Sequence, residues 1–378
     1  MRQNWPIMTP NSSQSTEPTP AAVGPTQEER TRRVLVPLDT SGLGLEIGPS
    51  YNPLLPKRSG ANIEILDHAS RDELVVKYRE LGFAAEELDR IEDVDYVATG
   101  GSFVDAVGRT GVFDYIIGSN VVEHMVDLVR FLQDCAALLK PGGRVSVTVP
   151  DMRFCFDLLR PVSSISSVLD AHLMPTRFHT AGTLFEAASF KCTRDGKIAW
   201  APDETGAVRL QLDAADGKQL VRQGLDQLEY HDVHRWTFTP SSFALLLQDL
   251  RELGYHSLVQ YESEPPIGFE FFVTLGHAEG EPVHIDRLEL MQQIRAELAA
   301  VAEQEGLVPR AIELAGDLAA ARRDLEARQG ELESTLRDLE SARSELDETR
   351  ELLDGAVSSR SWRITRPMRR VASALRRR

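Results

Sequence analysis

Long apolar runs are missing from this 378-residue chain, so no segment is expected to cross a bilayer as a helix. The N-terminus also lacks the apolar stretch of a signal peptide. Cysteine is scarce. Cys135, Cys155 and Cys192 show no paired spacing, which supports neither a disulfide framework nor a thiolate zinc site. A basic surplus is missing too: the net charge of -16 argues against general nucleic-acid binding, which needs a cationic face. A cytoplasmic protein is expected. What is present is 42% hydrophobic residues, enough for a substantial core.

The chain reads in four parts. Residues 1–30 are rich in Pro, Ser, Thr and Gln and are expected to be disordered, because little apolar surface offsets chain entropy. Residues 31–280 alternate strand-like and helix-like patterns, which predicts an α/β domain with a mainly parallel sheet. Its strand candidates are Leu43 to Ile47, Ile63 to Leu66, Asp95 to Val97, Phe113 to Gly118 and Arg144 to Val149. A helix over Leu128 to Leu139 stops at Lys140-Pro141-Gly142-Gly143. An irregular insertion spans about 151–238, and a helix then opens at Thr239-Pro240 and closes at Gly254. Two last strands, Tyr255 to Tyr261 and Phe269 to Leu275, are joined by a Pro-Pro-Ile-Gly turn, so one strand near the edge should run backwards.

Residues 281–358 change to Ala, Leu, Glu and Arg. Leu318, Leu325, Leu332, Leu339, Leu346 and Leu353 recur every seven residues, the pattern of a coiled coil, and a homo-oligomer is expected. An ordinary amphipathic helix is the alternative. An earlier helix, around Ile285 to Glu303, is set apart by Gly306 to Pro309. The tail, 359–378, holds eight arginines and no acid, interleaved with Trp362, Ile364, Met368, Val371 and Leu375. It suits peripheral contact with an anionic membrane surface, or else a solvated basic end. Pro367 is expected to interrupt any helix there.

The chemistry concentrates in Gly44-Leu45-Glu46-Ile47-Gly48-Pro49-Ser50 and, about twenty residues on, Asp67. A strand ending in a glycine turn, then a strand ending in an acid, is how an α/β domain builds a nucleotide-type pocket. Gly48 as a plain turn and Asp67 as a helix cap are the bland alternatives. The spacing of Gly42, Gly44 and Gly48 does not give the Gly-x-Gly-x-x-Gly of a nicotinamide-binding domain.

These motifs, in this order, resemble the class I S-adenosylmethionine-dependent methyltransferases over Leu43 to His277. The resemblance implies a Rossmann-like sheet with a reversed terminal strand and S-adenosylmethionine as cofactor. It puts Glu46, Gly48 and Pro49 at the amino-acid part of that cofactor and Asp67 on its ribose. Gly101 and Ser102 stand where adenine lies, though a simple loop reads equally well. Phe113-Asp114-Tyr115-Ile116-Ile117-Gly118-Ser119-Asn120 resembles the fourth-strand motif, with Ser119 and Asn120 under the methionine portion. One departure is that Pro49 follows Gly48 where the family often carries more glycine.

Methyl transfer needs an aligned acceptor and, for a hydroxyl, removal of its proton. Glu123-His124, with His124 as the catalytic member, is the first candidate for that role. Its segment Asn120-Val121-Val122-Glu123-His124 resembles a Glu-x-x-Glu-His stretch that binds Mg²⁺ in some methyltransferases acting on hydroxyls, but Asn120 replaces the first Glu, and no metal is expected. Helix capping is the other reading of this pair. His231 and His234, with Asp232 between them, are the second candidate, against substrate hydrogen bonding or packing. Asp151 and Arg153, leaving the fifth strand, are expected to bind substrate, against a solvated helix face.

The tail string Ser361-Trp362-Arg363-Ile364-Thr365-Arg366-Pro367 resembles the end of many bacterial enzymes that build surface polysaccharides. It implies O-methylation of a sugar hydroxyl at the inner face of the membrane. A methyltransferase for another small molecule (lipid, quinone or secondary metabolite) and a non-catalytic scaffold of a glycan assembly are the alternatives.

Overall fold

Gly44–Ile47 buries all four of its residues, as a strand does when helices cover both faces of its sheet. The computed structural model describes residues 26–212, 217–218, 221–222, 225, 230–278, 284–304 and 307–375. The expected disordered stretch therefore falls outside the described residues up to position 25. The chain divides into two units, Met1–Glu305 and Gly306–Arg378.

The first unit opens with α1 (Gln27–Leu35), β1 (Gly44–Ile47), β2 (Ile63–Asp67), α2 (Arg71–Glu80), α3 (Ala85–Leu88) and β3 (Tyr96–Val97). It continues through α4 (Phe103–Val107), β4 (Phe113–Ser119), α5 (Leu128–Leu138) and β5 (Leu139–Pro150). The segment read as an irregular insertion carries α6 (Ile165–Leu173), α7 (Ala181–Ser189) and a two-stranded sheet of β6 (Cys192–Arg194) and β7 (Val208–Leu210). Its two ends meet, with Met152 N–H donating to the Phe238 carbonyl at 2.9 Å. Then come α8 (Pro240–Glu252), β8 (Leu258–Ile267), β9 (Glu270–His277) and α9 (Arg287–Gln304).

The main sheet has the order β3-β2-β1-β4-β5-β9-β8. It is parallel from β3 to β5, and β9 runs antiparallel to β5, the reversed strand expected near the edge. Ile47 is level with Leu66 and Gly118, and Asp67 with Val97. The carboxyl ends of four neighbouring strands thus share one edge, and Gly48, Asp67, Ala98 and Ser119 lie along it. Apolar layers cover both faces: Ile116, Phe131, Leu132, Leu246 and Leu250 in one, Val34, Leu38, Tyr115 and Phe272 in the other.

Three differences from expectation have local causes. The terminal hairpin turns at Gly268-Phe269, and Pro265 and Pro266 lie inside β8. An edge strand tolerates prolines because one of its sides makes no ladder. Residues 27–30 are helical because Thr26 caps α1, accepting from Glu29 N–H at 3.2 Å, and because Arg30 is anchored. Its Nε and Nη2 donate to the buried Glu270 carboxylate at 2.9 and 2.7 Å. Finally, α9, expected to start the coiled-coil segment, packs on α8. Its Arg287 makes a two-pronged pair with Asp249, and its Leu290 is buried.

The Arg30–Glu270 pair carries a stability prediction. Removing one member of a buried pair strands the other charge, so Arg30→Ala is expected to cost about 3 kcal/mol in urea unfolding, most of it recovered on adding Glu270→Gln. A change within about 0.5 kcal/mol for Arg30→Ala would show that the pair does not hold α1.

The second unit contains α10 (Leu307–Ser358) and α11 (Arg360–Leu375). The six heptad leucines of α10 are each more than half exposed. Pro367 lies inside α11 and does not interrupt it, contrary to the expectation. A proline removes one backbone donor, which a helix can survive when the remaining turns hold. Among the described residues no helix is long and apolar enough to cross a membrane.

Candidate functional site

The turn after β1 begins the site. Gly48 has φ +62°, and a Cβ there would lie 3.1 Å from Val121 Cγ2, so glycine serves both the backbone and the space. The turn is tied to β2, because Asp67 Oδ2 accepts from Ser50 N–H at 3.0 Å and its Oδ1 from His68 N–H at 2.7 Å. Glu46 sits on the cavity wall, but its carboxylate serves the following loop. It accepts from Leu54 N–H at 2.7 Å and Leu55 N–H at 3.3 Å, and burial pushes its pKa up to about 7.

These turns open a cavity of about 500 Å³, well within the usual range for a small-molecule site. Pro49, Asp67, Gly101, Ser102, Ser119 and Asn120 all line it, with Glu46, Gly48 and His124. Asn120 follows β4 in a left-handed conformation, φ +52°, and donates from Nδ2 to Glu270 at 2.8 Å. Its Oδ1 is buried with no hydrogen-bond partner among the described residues, an acceptor left over for a ligand donor. Ser102 caps α4 and donates to Asp134 at 3.0 Å. The aromatic rings of Tyr51, Phe103 and Phe131 supply apolar wall.

The histidines separate. His124 lines the cavity, and its Nδ1 lies 2.9 Å from Asp232 Oδ1. Asp232 is held in turn by Lys77 Nζ at 2.8 Å. Burial opposes a charged imidazole at His124, but Asp232, with Glu123 and Asp157 beyond, outweighs it and holds the pKa above the ordinary value. His234 stands behind His124, ring centres 4.6 Å apart and nearly perpendicular. Its Nδ1 donates to Asp157 Oδ2 at 2.5 Å, and burial keeps its pKa low. His231 does not line the cavity.

Asp151 and Arg153 do not reach the cavity either. Arg153 Nε and Nη2 close on the two Asp151 oxygens at 2.8 and 2.5 Å, and the guanidinium lies over Phe154. The two charges neutralise each other two residues apart, and neither side chain is aimed at the cavity.

The structure adds Arg30 and Tyr230 to the site and defines the surroundings of Asp157 and Glu123. Arg30 and Tyr230 line the cavity, from α1 and from the end of the insertion. Asp157, seventy-seven residues from His234, orients it. Glu123 is buried with neither oxygen hydrogen-bonded among the described residues, and burial pushes its pKa up to about 8.

Comparison with known proteins now bears on this geometry. A family model described as "Methyltransferase domain" matches residues 28–250, more than half of the chain. The chain belongs to the methyltransferase-domain family. The cofactor implied by the sequence resemblance is S-adenosylmethionine. The cavity fits that group: a left-handed glycine turn exposes backbone, Asp67 ends the second strand, Asn120 Oδ1 is left unpaired, and aromatic wall is at hand.

This methyltransferase is 44% identical over 50 residues to a ubiquinone biosynthesis O-methyltransferase of Parvibaculum lavamentivorans, a match covering 13% of this chain and 19% of that protein. To the mitochondrial enzyme of that name from Homo sapiens it is 53% identical over 36 residues, 10% of each protein. The methyltransferase thus spans less than a fifth of the length of these curated relatives. Among solved structures, the CcbJ methyltransferase from Streptomyces caelestis matches 70% of this chain and 100% of that one, at 12% identity and a TM-score of 0.35.

Proposed function

We propose that this methyltransferase acts on oxygen, methylating a sugar hydroxyl in the assembly of a surface polysaccharide or glycolipid. The observation that carries the oxygen reading is His124, an imidazole with the Asp232 carboxylate 2.9 Å from its Nδ1, on the wall of the cofactor cavity directly after the fourth-strand turn. When bound, S-adenosylmethionine supplies an activated methyl group on a sulfonium. The residues then have two tasks: Gly48, Asp67 and Asn120 fix the cofactor, and His124 stands where the acceptor hydroxyl is deprotonated. The short matches to proteins named as O-methyltransferases support oxygen as acceptor.

The sugar reading rests on the second unit. The exposed heptad leucines of α10 suit a coiled coil with a second copy, and a single helix with such a stripe invites a partner. On α11, Ile364 and Met368 are exposed one turn apart among arginines, a face suited to an anionic surface such as the inner leaflet. Deleting 360–378 is expected to abolish cosedimentation with vesicles containing phosphatidylglycerol and to leave cofactor affinity unchanged. Equal cosedimentation of both forms would reject the membrane contact.

The test of the function is methyl transfer from labelled S-adenosylmethionine to a panel of nucleotide sugars, glycolipids and quinols. Transfer to a sugar hydroxyl is the expected result. Transfer to a quinol alone would favour the small-molecule alternative, and cofactor binding without transfer to any member would favour a scaffold.

A further inference from the structure

The cluster behind the cofactor cavity has the parts of a metal centre. Glu123 lies on the turn after β4, with both carboxylate oxygens buried and unpartnered among the described residues. A bare buried carboxylate is unfavourable unless a cation or donor meets it. Two arginines of the insertion bond elsewhere: Arg160 Nη1 donates to Asp157 at 2.9 Å and to the His234 carbonyl at 2.9 Å, and Arg235 Nη1 to the Val126 carbonyl at 2.7 Å. Two imidazoles face Glu123 instead. His124 Nε2 and His234 Nε2 are each 3.9 Å from the same oxygen, Glu123 Oε1.

Each imidazole also has a carboxylate at its other nitrogen, Asp232 at 2.9 Å for His124 and Asp157 at 2.5 Å for His234. At His234 the bond to Asp157 fixes the proton on Nδ1 and leaves the Nε2 lone pair toward Glu123, as a carboxylate does behind a ligating histidine; at His124 the Asp232 oxygen is close without a hydrogen bond. One atom from each of Glu123, His124 and His234 falls within 4.8 Å of the others, near enough for small side-chain shifts to close them on one ion.

We infer that Glu123, His124 and His234 form a binding site for a divalent transition ion of the Zn²⁺ class, with the insertion supplying the third ligand. The donor set decides the class. Two imidazoles and one carboxylate suit Zn²⁺ or Mn²⁺, whereas Mg²⁺ and Ca²⁺ seek oxygen ligands, and Asn120 stands where a further carboxylate would favour them. Three protein ligands leave a coordination position for an outside oxygen, and His124 lines the cavity. The role of the ion rests on the proposed hydroxyl reading. With the ion bound, His124 serves as its ligand and not as the proton acceptor: the ion lowers the pKa of the acceptor hydroxyl, whose proton passes to solvent; the oxygen–methyl bond forms as the carbon–sulfur bond breaks, its electron pair staying on sulfur.

The test uses the tag-free full-length chain, stripped with a chelator, dialysed and titrated calorimetrically with ZnCl₂, MnCl₂ and MgCl₂. One Zn²⁺ per chain is expected, with Mg²⁺ weaker by about a hundredfold or more. Glu123→Gln and His234→Ala should each weaken Zn²⁺ by about tenfold or more while S-adenosylmethionine affinity, the check on folding, stays within about threefold. No Zn²⁺ binding by the wild type, Zn²⁺ retained by both variants, or Mg²⁺ bound as tightly as Zn²⁺ would each overturn the site. A protein that binds Zn²⁺ as expected but methylates no hydroxyl leaves the site standing and overturns the hydroxyl reading.

Discussion

Replacing His124 by alanine is expected to lower kcat for methyl transfer by about 10²–10⁴-fold, the range for losing a positioned group that handles a proton. Cofactor affinity should stay within about threefold, since the backbone turn at Gly48 and the Asp67 anchor are untouched. The size of the effect follows from the surroundings of the ring. It sits on the cavity wall, with Asp232 at its Nδ1 and Lys77 beyond. His231, three residues from His234 in sequence but away from the cavity, provides the internal control. His231→Ala should retain kcat within about threefold. Equal losses from both substitutions would mean that the structure has placed the wrong histidine at the transfer point.

Asp67→Ala is expected to weaken S-adenosylmethionine binding by about 10–100-fold, the equivalent of one to two charge-assisted hydrogen bonds. Asp67 has a double task. Its buried carboxylate holds Ser50 N–H and His68 N–H, and so fixes the glycine turn, while it faces the cavity at the end of β2. Removing it loosens the turn as well as deleting a ligand acceptor. Asp67→Asn keeps one carbonyl oxygen and should fall between wild type and alanine. Calorimetry on both variants checks the order, with far-UV circular dichroism confirming the fold. An unchanged affinity in Asp67→Ala would remove this residue from the site.

The sheet was legible because each strand announces itself locally. Gly44–Ile47 and Ile63–Asp67 are short apolar runs ending in a glycine or an acid, and the paired runs after Gly254 foretell the reversed strand. The prolines misled in both places where tertiary context overrode local preference: Pro265 and Pro266 in an edge strand and Pro367 within α11. The helices of the insertion were missed because α6 and α7 span nine residues each, too short to show a firm period.

At the site, residues next to a strand end could be read, and partners brought by the fold could not. Gly48, Asp67, Ser119 and Asn120 all reach the cavity from the ends of β1, β2 and β4. Position at a strand end also made Asp151 and Arg153 look available, yet their short spacing lets them neutralise each other. Arg30 was hidden in a stretch of disorder-like composition, and its buried partner Glu270 lies 240 residues away. Asp157 carries no local signal for its bond to His234, since only folding of the insertion brings the two together.

Calorimetric titration of the full-length wild-type chain with S-adenosylmethionine is the decisive measurement. One equivalent should bind, with a Kd in the range of about 1 μM to 1 mM common for enzyme ligands. Absence of binding at millimolar cofactor would contradict the cofactor reading of the cavity.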